Sequence, residues 1–239
     1  MTQKNEPSVA KSPVLLPPDS PVRGLVVDWG GVLTTDLGSA MSQWATDEDV
    51  DLEDFIILMR RWLGKEAEEE AWVNPVHALE RGEVEIPHFE LKLAEGLSEQ
   101  LGRPVEPEHL VDRLLGGFRA APQMTALVRR ARDAGIRTGL LSNSWGADKY
   151  PDDLFEGMFD IVVISGKVGM RKPEERIYQH TLELMELEAP QCVFIDDMAH
   201  NVAAAVEIGF IGIHHQSYEQ TVAELDVLFG IPLGGAGDE

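Results

Sequence analysis

Five short apolar runs constrain this chain more than any other feature: Leu25 to Val27, Ile136 to Leu141, Ile161 to Ile164, Cys192 to Ile195 and Phe210 to Ile213. Each is continuous rather than alternating, the pattern of strands covered on both faces. Helical periodicity stands between them. Met124, Leu127, Val128 and Ala131 fall at i, i+3, i+4 and i+7, with Gly135 as a stop, and Val202, Ala205 and Val206 repeat the pattern before Gly209. This alternation predicts an α/β fold built on a doubly wound parallel sheet, whose ligands bind beyond the carboxyl ends of the strands. Asp28, Ser142, Ser165 and Asp196 all fall at such ends.

The interval between the first and second runs breaks the rhythm. Residues 36–118 read as helix after helix with no strand signal; Leu52, Phe55, Ile56, Met59 and Leu63 make one apolar stripe, and Phe89, Leu93 and Leu97 another. So long an insertion inside one βαβ unit is either a lid or a separate bundle. Trp44, Trp62 and Trp72 read as its core, and Glu66 to Glu70 as a solvated helix face. The expected organisation is a loose arm at 1–22, an α/β core at 23–35 and 119–232, a helical insertion at 36–118, and a flexible tail at 233–239. The arm holds Pro7, Pro13, Pro17, Pro18 and Pro21 with little apolar content.

Composition narrows the partners. With 42 Asp and Glu against 20 Lys and Arg, the net charge of −22 repels nucleic acid and anionic membrane surfaces, so an anionic substrate must be drawn in by local charge or a metal. A single cysteine, Cys192, allows no intrachain disulfide and reads as a buried structural thiol. Neither a membrane span nor a signal-peptide apolar block is present, which suggests a cytoplasmic protein. A homodimer is compatible with all of this.

Four segments at the predicted sheet edge carry the candidate chemistry: Gly24-Leu-Val-Val-Asp-Trp-Gly-Gly-Val-Leu-Thr34, Leu140-Leu-Ser-Asn-Ser-Trp145, Gly169-Met-Arg-Lys-Pro-Glu174 and Val193-Phe-Ile-Asp-Asp-Met-Ala-His-Asn201. A carboxylate such as Asp28, held in a positive pocket, can act as a covalent nucleophile; otherwise it caps a strand end. The neighbours Asp196 and Asp197 suit Mg²⁺, which takes one or two carboxylates plus water and phosphate oxygens, though such a pair is often only a loop. Ser142 and the backbone N–H groups after it, starting at Asn143, can bind phosphoryl oxygens at a strand-to-helix turn, or Ser142 and Ser144 can simply cap a helix. Lys172 precedes Pro173, which fits the first position of a helix, and can lean in to offset the charge of Asp28 and phosphate.

In order and content these segments resemble the haloacid dehalogenase superfamily, nearest the branch that contains the N-terminal phosphatase domain of soluble epoxide hydrolases. The resemblance covers about residues 24–215. It implies that 36–118 is a helical cap, that Asp28 is the nucleophile with Ser142 and Lys172 as its catalytic partners, and that Ser142, Asn143, Lys172 and Gly31 bind substrate phosphate. It also implies Mg²⁺ held by Asp28, the Gly30 carbonyl, Asp197 and Asp196, with Asn201 behind them, and a small phosphorylated substrate.

One departure stands out. Most phosphatases of the superfamily carry a second Asp two residues after the nucleophile as general acid and base, and here that position is Gly30. Such assistance is worth about 10²- to 10⁴-fold. Three readings follow. A slow hydrolase could use a good leaving group or borrow an acid from His77, Glu83, His88, His200 or the substrate. A phosphonoacetaldehyde-hydrolase-like enzyme, whose nucleophile segment is similar to Asp28-Trp-Gly-Gly-Val32, would need a desolvated cap lysine, Lys65 or Lys92. A catalytically silent protein would keep the fold only to bind a phosphorylated ligand or a protein.

Overall fold

The computed structural model describes residues 15–35, 37–63, 74–146, 150, 155 and 157–235, without the side chains of residue 37 and residues 59–63. Strand β1 is Gly24–Val27. It is followed by α1 (Leu37–Asp47), α2 (Leu52–Leu63), α3 (Pro75–Glu80), α4 (Ile86–Leu101), α5 (Leu110–Leu115) and α6 (Pro122–Asp133). Then come β2 (Arg137–Ser142), β3 (Ile161–Ile164), α7 (Ser165–Val168), α8 (Glu175–Met185), β4 (Cys192–Asp196), α9 (Ala199–Ile208), β5 (Ile211–His214) and α10 (Tyr218–Phe229). The five apolar runs are the five strands, displaced by a residue at some ends.

All strand pairs are parallel, in the order β3-β2-β1-β4-β5. The chain winds outward from β1 through β2 to β3 and then crosses to β4, so the order reverses at β1/β4, where doubly wound sheets place their ligands. Successive strand side chains point to opposite faces. Leu25, Val27, Val193 and Ile195 therefore pack under α6 and α10 through Met124, Leu127, Val128, Leu225 and Phe229. On the other face Val26, Cys192 and Phe194 meet Ile177, Tyr178 and Met185 of α8 and Ala205 of α9. Double coverage is why these strands read as unbroken apolar runs.

Helices α1 to α5 build a second core around Trp44, Phe55, Leu58, Phe89, Leu93, Leu97 and Leu114, against which Trp145 from the loop after β2 is packed. Trp44 is buried against Phe55 with ring centroids 5.1 Å apart. A single bridge between Thr34 and Ala120 joins the two chain crossings at its base.

Several sequence expectations need correction. Ile56 is exposed and Leu58 takes its place, because the buried stripe of α2 advances from Phe55 by three residues. Val206 is half exposed: it lies over Gly212 of β5, which is an edge strand among the described residues, with no further strand there to shelter it. Pro173 does not begin a helix. Its peptide bond with Lys172 is cis, residues 171–174 form a turn closed by Glu174 N donating to Arg171 O at 2.9 Å, and α8 starts at Glu175. The arm is not loose over its last residues, since Leu16 N donates to Ala134 O at 2.8 Å and Val22 is buried. Leu233, assigned to the tail, is also buried and its N–H donates to Asp226 Oδ1 at 2.7 Å. The expectations for residues 1–14, Lys65, Glu66 to Glu70, Trp72 and 236–239 lie outside the described residues, as do the side chains of Met59, Trp62 and Leu63. Among the described residues no helix is long and apolar enough to cross a membrane.

Cys192 sits on β4 with no exposed surface, and burial pushes its thiol up to about 12. A thiol-specific reagent such as dithionitrobenzoate is therefore expected to leave the native protein unlabelled and to titrate one thiol per chain in denaturant. Rapid labelling of the native protein would show that β4 opens locally.

Candidate active site

The site grows out of the β1/β4 register. Val27 stands beside Ile195, and Asp28 N extends the ladder by donating to Ile195 O at 2.9 Å, so Asp28 leaves the sheet next to Asp196. Trp29 N donates to Asp28 Oδ1 at 2.7 Å, which fixes the plane of the carboxylate. Lys172 reaches in from the turn before α8. Its ammonium lies 2.8 Å from Asp28 Oδ1 and 2.6 Å from Asp196 Oδ2, and the side chain is 1% exposed.

Asp196 is held from every side. Besides Lys172, its carboxylate accepts Met198 N at 2.8 Å and Asn201 Nδ2 at 3.1 and 3.2 Å. Asn201 itself is buried, and its Oδ1 has no hydrogen-bond partner among the described residues. Asp197, one residue on, is less confined. Asp28, Asp196 and Asp197 each offer an oxygen within 4.8 Å of the others. The sheet thus gathers the three carboxylates that the sequence places 168 and 169 residues apart.

Electrostatics show what this gathering lacks. Among the described residues one buried ammonium faces three carboxylates, which together carry excess negative charge in a low-dielectric pocket. Burial pushes Asp28 up to about 7; Lys172 opposes that rise, and Asp196 and Asp197 add to it. Burial likewise raises Asp197 to about 6, with Asp196 adding. Burial alone would lower Lys172, but Asp196 and Asp28 outweigh it and hold the amine firmly charged. A hard divalent cation among these oxygens would reverse both carboxylate shifts, so the donor set fits Mg²⁺.

The glycines beside Asp28 differ in kind. Gly31 has φ +69° and a Cβ there would lie 2.1 Å from Asp197 Oδ2, so any side chain would displace that carboxylate. Its N–H is already donated to Thr34 Oγ1 at 3.1 Å. Gly30 has no left-handed φ, and none of the described residues lies within 4 Å of a built Cβ there.

Ser142 ends β2 beside Ile164, and its hydroxyl lies 2.9 Å from that of Tyr150. The Asn143 amide is engaged with the Lys172 backbone: Lys172 N donates to Oδ1 at 2.8 Å and Nδ2 donates to Lys172 O at 3.0 Å. Ser144 N donates to Ser165 Oγ at 2.8 Å. The helix expected after Ser142 would fall on residues 147–149, 151–154 and 156, which lie outside the described residues.

Of the proposed acid donors, Glu83 is exposed and paired with Arg81 at 2.6 Å, His88 and His200 are exposed, and burial lowers His77 to about 4. Lys92 lies on the surface with Glu95 at 2.7 Å, not in the desolvated pocket a Schiff base needs, and Lys65 lies outside the described residues. Sequence reading missed Tyr150 and Glu80. Tyr150 stands eight residues beyond Ser142 with no spacing signal, its ring 6.0 Å from that of Trp29. Glu80 is a buried acid in a helix whose other residues give no hint of a partner.

Comparison with known proteins agrees with this geometry. The sequence model for haloacid dehalogenase-like hydrolases matches residues 22–209. A parallel α/β fold with an aspartate, a lysine and paired acids at its switch point is thus that of a hydrolase, and the chain belongs to the haloacid dehalogenase-like family. It is 29% identical over 218 residues to the sesquiterpene phosphatase AstK of Aspergillus oryzae, covering 87% of this chain and 97% of that one. It is 24% identical over 226 residues to bifunctional epoxide hydrolase 2 of Sus scrofa, covering 89% of this chain but 40% of that protein. The fold is similar to that of HAD family enzyme BT-2542 from Bacteroides thetaiotaomicron in complex with magnesium and inorganic phosphate. That likeness has TM-score 0.58 and 18% identity, and it covers 82% of this chain and 94% of the other.

Proposed function

We propose that this hydrolase is a Mg²⁺-dependent phosphatase acting on a small phosphorylated metabolite, with Asp28 as the nucleophile. The observation that carries the reading is the junction of Asp28, Lys172, Asp196 and Asp197 at the β1/β4 switch point. Phosphatase-named relatives such as AstK support the reaction class, and the magnesium complex of the BT-2542 fold supports the metal.

In this reading an Asp28 oxygen attacks phosphorus, an O–P bond forms to give an aspartyl-phosphate, and the ester oxygen departs with the bonding pair. Lys172 holds the carboxylate in place and balances the charge of the phosphoryl oxygens. Ser142 offers its hydroxyl to one of those oxygens, with Tyr150 behind it, while Asn143 holds the backbone of Lys172. Gly31 leaves room for Asp197. Asp28, Asp197, Asp196 and the Gly30 carbonyl would hold Mg²⁺, with Asn201 behind Asp196; the ion would neutralise the anionic cluster and polarise the phosphoryl group. Water then attacks phosphorus and releases phosphate. The departing alkoxide takes its proton from water, because Gly30 supplies none; this favours substrates with stable leaving groups and makes turnover slow.

Asp197→Asn is expected to weaken Mg²⁺ binding at least about tenfold by calorimetry, since even outer partners of a metal site are worth 10–100-fold. Unchanged affinity would remove Asp197 from the ligand set. A panel of phosphate esters, run with and without Mg²⁺ beside a phosphonoacetaldehyde assay, tests the reaction class itself.

A further inference from the structure

We propose that Glu80, the last residue of α3, is a positioning residue that sets the catalytic lysine from the helical insertion. The proposal rests on Lys172 having the role described above. Glu80 and Arg171 form an ion pair between Glu80 Oε2 and Arg171 Nε, each side chain 10% exposed. The Glu80 carbonyl also accepts Ser165 Oγ at 2.5 Å. Ser165 Oγ accepts Ser144 N, and Gly166 N donates to Ser144 Oγ at 3.1 Å. Next to Glu80, Arg81 donates to Glu174 Oε1 at 3.1 Å.

One helix end therefore grips the start of α7 and the turn that carries Lys172, and through Ser165 the loop after β2. Arg171 and Lys172 are adjacent. One side chain runs to an acid of the insertion and the other to Asp28 and Asp196. Their backbone is pinned between Asn143, which takes both polar groups of Lys172, and Glu174, whose N–H closes the turn. Displacing Arg171 must displace the peptide that aims the lysine.

The chemistry of the pair also argues for position rather than adhesion. A well-packed apolar pair usually holds two buried surfaces together at least as well as a buried ion pair, whereas the charged bond is directional. Here the direction is along the turn that presents Lys172. The built contact at Gly82, where a Cβ would lie 2.6 Å from Gly166 O, shows how closely the two backbones approach.

Hydrogen exchange by NMR tests the proposal without relying on turnover. In Glu80→Gln the amides of Lys172 and Glu174 are expected to exchange about tenfold faster while those of β4 keep their rates. Glu80→Asp keeps the charge on a shorter arm and is expected to give a smaller acceleration at the same two amides, and it remains informative if the glutamine variant fails to fold. Unchanged exchange at both amides, or an acceleration shared equally by β4, would overturn the proposal and leave the pair as a structural staple. Where the wild type hydrolyses a phosphate ester, Glu80→Gln should lose about 10-fold or more in kcat/KM, with partial recovery in Glu80→Asp. A wild type that turns over no ester counts against the phosphatase reading, and the exchange result then judges Glu80 alone.

Discussion

Replacing Gly30 with aspartate is expected to raise phosphate-ester turnover by about 10²- to 10⁴-fold, the usual worth of a positioned general acid and base. The substitution is sterically clean. None of the described residues lies within 4 Å of a built Cβ at position 30, and its φ is not in the left-handed region, so an ordinary residue fits without backbone strain. Removing a glycine also lowers the entropy of the unfolded chain, which is worth about 0.4–1 kcal/mol when the conformation is compatible. The gain should be largest for alkyl phosphates, whose alkoxides need a proton most, and small for aryl phosphates. Stopped assays over that series, at saturating Mg²⁺, measure it. No turnover in either form, with Mg²⁺ and inorganic phosphate still bound, would turn the interpretation toward a ligand-binding protein that has kept a hydrolase fold.

Asp28→Asn should reduce turnover by more than about 10³-fold, because an amide does not attack phosphorus and deletion of a covalent nucleophile typically removes most of the rate enhancement. The fold should survive. The amide oxygen of the substituted side chain can still accept from Trp29 N, and Lys172 keeps its 2.6 Å contact with Asp196. Removing one carboxylate from a crowded anionic pocket also relieves the burial that pushes Asp28 up to about 7. In Mg²⁺-free buffer a melting temperature at or above that of the wild type, with activity gone when Mg²⁺ is supplied, is the expected pair of results. More than a tenth of wild-type activity in the variant would eliminate an aspartyl-phosphate route.

Much of the architecture was legible in residue order. Leu25 to Val27 and Cys192 to Ile195 announced buried parallel strands because both of their faces are covered, which leaves no room for polar alternation. Phe89, Leu93 and Leu97 marked α4 through helical spacing alone. Edges were less readable. Val206 looked like core by period, yet it covers an edge strand, and period does not reveal how many strands lie beyond.

Within the site, residue type left Asp28 and the Asp196-Asp197 pair open between a chemical role and a strand-end cap or loop, and it was their resemblance to a known family, together with that of Lys172, that singled them out. Their meeting was not local. It depends on β1 lying between β2 and β4, which brings Asp28 beside Asp196 across 168 positions of sequence.

From sequence alone came the strands, helices α2, α4, α6 and α9, and the excess of acid, because apolar periodicity and residue type are properties of short stretches of chain. Tertiary structure alone decided that Asn143 holds Lys172, that Tyr150 meets Ser142, and that Glu80 grips Arg171. Those pairings join residues from separate loops, and a directional bond between buried polar groups exists only once the surrounding apolar packing has set both partners at hydrogen-bonding distance.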